Sequence, residues 1–146
     1  KHIAKEFNNG MEFFNTFGGN PVSCAIAKSV LEVIEDEKLQ ENSLNVGNFI
    51  KKHLYKLSCE YPIIGSVRGQ GLFLGIEFVD SNLNPLTDRA DYIVNRMKNY
   101  GILLSTDGPY NNVIKIKPPL VFSIKNAKYF LKYFSLVLKE DFIGLN

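Results

Sequence analysis

The period of the apolar residues changes along the chain, and this change limits the fold more than any other feature. Segments with apolar residues at helical spacing alternate with short apolar runs closed by glycine or proline. In the last helical segment, Ala127, Phe130, Leu131, Phe134, Val137 and Leu138 fall at i, i+3, i+4, i+7, i+10 and i+11. That stripe predicts a helix with one buried face, capped by Ser123. Val46, Phe49, Ile50, Leu54 and Leu57 predict another over Leu39–Ser58. Tyr61-Pro62 ends it, because the residue before proline avoids the α region. Ala90, Ile93, Val94 and Met97 predict a third, capped by Thr87 or Asp88 and closed by Gly101. Ahead of these, Asn20-Pro21 opens a helix that runs to a break at Glu35-Asp36-Glu37. Asparagine is a strong N-cap, and proline suits the first helical position.

Between the helices, Ile63–Gly71 predicts a short strand running into a glycine bend, and Leu72–Val79 a partly alternating strand. Ile102–Ser105 and Val113–Lys117 read as two further strands joined by a turn over Thr106–Asn112, and Pro118-Pro119 stops the second. The expected fold class is α+β: a small antiparallel sheet with helices on one face. Residues 1–19 show no long periodic segment, only an irregular lead-in containing Phe7, Met11, Phe13, Phe14 and Phe17.

Composition excludes several classes of function. The chain has 146 residues, 45% of them apolar and 22% charged, the profile of one ordinary globular domain. A net charge of +2 predicts no nucleic-acid partner. No apolar run approaches the ~20 residues of a spanning helix, so no membrane partner is expected. Cys24 and Cys59 make no disulfide framework and read as small buried thiols in a reducing compartment. With only His2 and His53 beside them, histidine/cysteine zinc patterns are excluded and no metal is expected. His53 lies on an apolar helix stripe and reads as structural. The first residues, from Lys1, lack the apolar core of a signal peptide, which gives a cytoplasmic expectation. They also lack an initiator Met, which points to a chain that begins inside a longer protein.

Three segments could carry chemistry. Asn15-Thr16-Phe17-Gly18-Gly19-Asn20-Pro21 sets a hydroxyl and two glycines before a helix N-terminus. Such a place suits an anion, although an ordinary capped helix start looks the same. Val67-Arg68-Gly69-Gln70-Gly71 puts one of only three arginines beside a glycine bend. A guanidinium there can present a planar fork to a carboxylate or phosphate, or it can make a surface ion pair. Asp107-Gly108-Pro109 with Lys115-Ile116-Lys117-Pro118-Pro119 reads as a turn and an edge strand whose lysines face water. No pair of carboxylates stands out as acid and base, and no residue of the chain is assigned as catalytic.

Taken together these residues resemble a known family. Thr16-Phe17-Gly18-Gly19-Asn20-Pro21 with Cys24-Ala25 is similar to the signature opening the C-terminal part of class-III pyridoxal-phosphate (PLP)-dependent aminotransferases. Arg68-Gly69-Gln70-Gly71-Leu72 and Gly75-Ile76-Glu77 are similar to their small-domain motif. Asp107-Gly108-Pro109, Asn112-Val113 and Lys115–Leu120 resemble a subgroup that contains phospho-lyases. The resemblance implies the small C-terminal domain of a fold-type I enzyme, with 1–20 as a lead-in carrying the cofactor-phosphate motif and 21–146 as the domain itself. It implies PLP as cofactor, Thr16, Phe17 and Gly18 as cofactor-binding residues, and Arg68 as the substrate-carboxylate ligand. It further implies a homodimer with the active site at the interface, and an amine or amino acid and a 2-oxo acid as substrates. The lysine that forms the Schiff base would precede Thr16 by tens of residues or more, so the large catalytic domain is expected outside this chain and the fragment alone is expected to be inactive. Two rival readings remain: a PLP-dependent phospho-lyase acting on a phosphorylated amine, and a stand-alone dimerisation module.

Overall fold

The apolar stripes of the sequence become the buried faces of three helices laid over a four-stranded sheet. The computed structural model describes residues 1–140, so the last six residues of the expected domain, 141–146, lie outside the described residues. The chain forms two compact units, Lys1–Glu37 and Lys38–Asn146.

In the second unit, α3 (Leu39–Glu60) turns Val46, Ile50 and Leu54 into the core. It is followed by the hairpin of β1 (Ile64–Gln70) and β2 (Phe73–Phe78), then by α4 (Thr87–Lys98). The last elements are β3 (Ser105–Asp107), β4 (Val113–Ile116) and α5 (Ile124–Val137). The strand order is β1-β2-β4-β3, and every neighbouring pair is antiparallel. Burial alternates along β2, where Leu74, Ile76 and Phe78 are buried while Phe73, Gly75 and Glu77 are not. Val67, Ile114 and Ile116 add to the same buried side. Helices α3 and α4 pack on the sheet, and α5 packs on both helices. Its Ala127, Phe130, Leu131, Phe134 and Val137 are all buried, as their spacing requires.

The ends of the elements follow local chemistry with three differences from expectation. Ser123 caps α5 by accepting the N–H of Asn126 at 3.3 Å. Gly101, at φ +71°, closes α4: its N–H bonds Lys98 C=O at 3.0 Å and that of Ile102 bonds Met97 C=O at 3.1 Å. Leu86, however, holds the cap position of α4 and makes no side-chain cap bond, because the Thr87 hydroxyl donates instead to Tyr110 C=O at 2.5 Å. The strand expected over Ile102–Ser105 begins only at Ser105, where pairing with Lys115 starts, and continues through Thr106 and Asp107. The thiols expected to be buried are both exposed. Cys24 lies on a helix with no buried residue, and Cys59 in the last turn of α3, beyond that helix's buried stripe, with its Sγ 3.3 Å from Tyr55 O. His53 does serve structure: its ring lies 4.3 Å from that of Phe49 and Nδ1 lies 2.8 Å from Phe49 O.

The first unit contains α1 (His2–Phe7), which the sequence pattern missed, and α2 (Pro21–Asp36). Asn20 caps α2 by accepting the N–H of Ser23 at 2.9 Å, and Pro21 takes the first helical position. Val22, Ile26, Val30, Leu31 and Val33 are all exposed, so α2 presents an apolar surface.

Helix α3 meets the β1–β2 turn at Gly47, where an added Cβ would stand 1.9 Å from Gly71 O. At Gly101 an added Cβ meets nothing within 4 Å, so only its positive φ resists substitution. Gly47→Ala should therefore destabilise the unit by about 1–3 kcal/mol or more. Gly101→Ala should cost only about 1–2 kcal/mol, the left-handed penalty of an L-residue. Urea denaturation followed by circular dichroism measures both, and Gly47→Ala should have the lower midpoint.

Candidate functional site

The side of the sheet opposite the helices is polar, and its residues form rows across the strands. Antiparallel register sets Arg68 beside Gly75, Gly75 beside Lys115, and Lys115 beside Ser105. The next row holds Ser66, Glu77, Val113 and Asp107. The first row thus carries one cation on each side of a residue with no side chain.

Each cation reaches diagonally to a carboxylate of the second row. Arg68 donates from Nη1 to Glu77 Oε2 at 2.6 Å and also to Ser66 Oγ. Ser66 in turn donates to the same Glu77 oxygen at 3.1 Å. The Arg68 contact uses a single nitrogen, and the edge formed by Nε and Nη2 has no partner among the described residues. That edge has the geometry for two parallel bonds to a carboxylate. Lys115 donates to Asp107 Oδ2 at 2.7 Å, and Asp107 Oδ1 accepts the N–H of Gly108 at 2.8 Å. The hydrogen bond from Arg68 leads the causes that hold the Glu77 carboxyl below its ordinary pKa of 4.5. The hydrogen bond from Lys115 does the same for Asp107. Sequence reasoning singled out Arg68, but took Asp107 for a turn residue and Lys115 for a solvated lysine. Only cross-strand register places them with Arg68.

The segment Asn15–Pro21 belongs to the first unit. Its backbone is partly spoken for: Asn15 Oδ1 accepts the N–H of Phe17 at 3.1 Å and that of Gly18 at 3.0 Å. These two expected cofactor-binding residues therefore have no free N–H. Thr16 is exposed, and its hydroxyl has no partner among the described residues. The Thr16 hydroxyl remains as a side-chain donor that could hold a phosphate group. No group of three or more histidines, cysteines or carboxylates that could hold a metal occurs among the described residues. No helix among them is long and apolar enough to cross a membrane.

Comparison with known proteins bears on both segments. Residues 1–138 match the family model described as aminotransferase class-III. The chain is 48% identical over 133 residues to an alanine–glyoxylate aminotransferase 2-like protein of Drosophila melanogaster, covering 88% of this chain and 27% of the relative. It is 42% identical over 129 residues to ethanolamine-phosphate phospho-lyase homolog 1 of Caenorhabditis elegans, covering 86% and 28%. Among solved structures it superimposes with a TM-score of 0.83, at 37% identity, on a phospholyase from Arthrobacter in complex with phosphoethanolamine. That match covers 94% of this chain and 33% of the phospholyase. The chain thus spans between a quarter and a third of the length of these relatives.

The Glu77–Arg68 pair has a direct check. A carboxyl whose pKa is lowered on folding adds stability above its unfolded value of 4.5 and loses it as pH falls through the folded value. In Arg68→Ala the Glu77 pKa should rise toward 4.5, and stability should depend less on pH in this acid range. Carbon-detected NMR titration of the carboxyl, alongside denaturation at several pH values below 5 or so, reads both effects.

Proposed function

Because the chain belongs to the class-III aminotransferase family, whose enzymes depend on PLP, we propose that it is the C-terminal part of such an enzyme. The complete protein would move an amino group from an amine or amino acid to a 2-oxo acid. The observation that carries this reading is the family match over residues 1–138, which takes in both the Thr16 segment and the polar sheet face. In this reading 1–20 carries the cofactor-phosphate motif and 21–146 forms the small domain. The large domain, with the lysine that carries the cofactor, lies outside this chain.

When bound, PLP supplies an electron sink for the amino carbon of the substrate. The residues of this chain bind and orient. Thr16 donates its hydroxyl to the cofactor phosphate of the neighbouring subunit in a homodimer. A hydroxyl donor beside a capped helix start suits a dianion. Arg68 offers its free Nε–Nη2 edge to the substrate carboxylate while Nη1 stays on Glu77. Lys115 adds a second cation on the same sheet face. Two free, exposed cysteines fit a reducing compartment, either the cytoplasm or the mitochondrial matrix. Some relatives are named as mitochondrial proteins.

A second reading, the phospho-lyase, is favoured by the match to the Arthrobacter phospholyase in complex with phosphoethanolamine. The full-length protein decides between them. With L-alanine and a 2-oxo acid, an aminotransferase forms a new amino acid. With ethanolamine phosphate, a phospho-lyase releases inorganic phosphate. Arg68→Ala should raise KM for a carboxylate donor about tenfold or more, the loss of one or two charge-assisted hydrogen bonds. Lysine at this position should restore only part of the loss, because it lacks the fork.

Thr16→Ala in the full-length protein should weaken PLP retention by about 1.5–3 kcal/mol, the scale of a hydrogen bond to a charged group. Thr16→Ser should be much milder. Titration with PLP, followed by absorbance, compares the three proteins. Because the contact crosses subunits, mixing Thr16→Ala with a variant lacking the cofactor lysine should regenerate one sound site per mixed dimer. Recovered activity in the mixture tests that part alone.

A further inference from the structure

Charge is spread unevenly along the chain. From Gly108 to Lys139 there are six lysines and no acidic residue, although the whole chain has 15 acidic residues. Three of the six, Lys125, Lys128 and Lys132, fall at i, i+3 and i+7 of α5, on one side of the helix. All three are exposed, and with Asn126 and Tyr129 they line one hollow of about 450 Å³. None of them pairs with a carboxylate among the described residues. Lys132 instead places its Nζ 5.1 Å from the ring centroid of Tyr133. This arrangement does not help the helix: like charges three and four positions apart repel, and a cation in the first turn opposes the helix dipole. Asn126 and Tyr129 also line a larger groove of about 830 Å³, so the two hollows adjoin. The groove walls include Leu103, Leu104, Pro118, Phe122 and Phe130, and Leu103 is 82% exposed.

We propose that this face is a docking surface for an acidic segment of another protein, whose carboxylates meet Lys125, Lys128 and Lys132 while an apolar side chain enters the adjoining groove. Charge complementarity supports it. Three ammonium groups round one hollow, in a stretch without a carboxylate, make a local positive field that attracts an anionic partner and steers its approach. The seven steps from Lys125 to Lys132 span about 10 Å of helix at ~1.5 Å per residue. Roughly three residues of an extended acidic segment cover that length. The groove gives such a segment an apolar anchor, and interfaces combine a buried apolar centre with a polar rim. Two other polyanions fit less well. Nucleic-acid binding draws on a wider basic footprint, in which arginine forks are favoured, and Gly108–Lys139 contains no arginine. A bilayer receives projecting apolar side chains, whereas the apolar surface beside these lysines is a groove. Neither Arg68 nor Thr16 lines this surface, so the docking role does not rest on the function proposed above.

The test uses the full-length protein and a short labelled peptide of glutamates interrupted by two leucines. Fluorescence anisotropy at low and at physiological salt gives the Kd, and thermal denaturation gives the melting temperature. The peptide should bind, and added salt should weaken it. Lys125→Gln, Lys128→Gln and Lys132→Gln combined should weaken binding about tenfold, the scale of three exposed ion pairs. The melting temperature of that variant should hold or rise, because the repulsion along α5 is relieved. Lys52→Gln, Lys56→Gln and Lys98→Gln combined remove the same charge elsewhere and should leave binding unchanged. A peptide with serine in place of leucine should bind more weakly than its parent. If the α5 glutamine variant melts early, the matching arginine variant decides: it keeps the charge and should bind like the parent protein. No binding of the peptide, equal binding by the α5 glutamine variant, or an equal loss in the control variant would overturn the docking surface. So would failure of the arginine variant to bind. Equal binding of the serine peptide would remove the groove from it and overturn the proposal as stated. Tighter binding of a single-stranded RNA oligonucleotide or of phosphatidylserine vesicles, lost in the α5 glutamine variant, would overturn the acidic segment as the occupant. None of these results bears on the family reading.

Discussion

Strand β2 must send Leu74, Ile76 and Phe78 one way and Phe73, Gly75 and Glu77 the other, and the second unit is arranged around that alternation. Side chains alternate strictly along a strand, so a slip of one residue would drive Glu77 into the core and bring Leu74 and Ile76 out to water. Burying an unpaired carboxylate while exposing branched apolar side chains is far too costly for the slipped register to compete. The fixed register of β2 in turn places β1 on one side and β4 on the other. The core under the helices and the cation row on the open face are therefore two results of a single constraint.

On the open face the charges neutralise one another in pairs. Arg68 meets Glu77 and Lys115 meets Asp107, each through one nitrogen, so both cations keep unused donors. A sheet face built this way stays soluble without forfeiting its capacity to bind an anion. The helical edge of the unit is secured differently. Arg96 grips Glu140 with both Nε and Nη2, at 2.8 and 2.7 Å, and Tyr92 donates to the same carboxylate at 2.5 Å. The contrast is physical: a two-pronged pair with a third donor leaves little for a ligand, whereas a one-pronged pair leaves an edge.

Much of the fold was legible because the signals are local. Helix stripes, the Asn20 and Ser123 caps, the Gly101 terminus and the proline after Tyr61 each depend on neighbours within a turn or two. The misreadings arose where long-range contacts decide. Thr87 looks like a cap, but its hydroxyl goes to Tyr110, which lies 23 positions away. Asp107 looks like a turn residue until pairing with Val113 makes it part of a strand. Phe17 and Gly18 look like free anion donors until the Asn15 side chain takes both N–H groups. The cysteines looked buried because their segments are apolar, yet no residue of α2 is buried and Cys59 lies beyond the buried stripe of α3.

The sequence by itself determined the helices α2 to α5, the Asn20 and Ser123 caps, the buried faces of α3, α4 and α5, and the family to which the motifs are similar. Those properties follow from spacing and from short-range hydrogen bonding, which a chain carries wherever it folds. The tertiary structure alone decided that Arg68, Lys115, Glu77 and Asp107 share one face. These residues come from four strands between positions 68 and 115 of the sequence, and only the antiparallel register joins them. That register is set by the burial of Leu74, Ile76, Phe78, Ile114 and Ile116 beneath the helices, a collective packing energy that no single segment encodes.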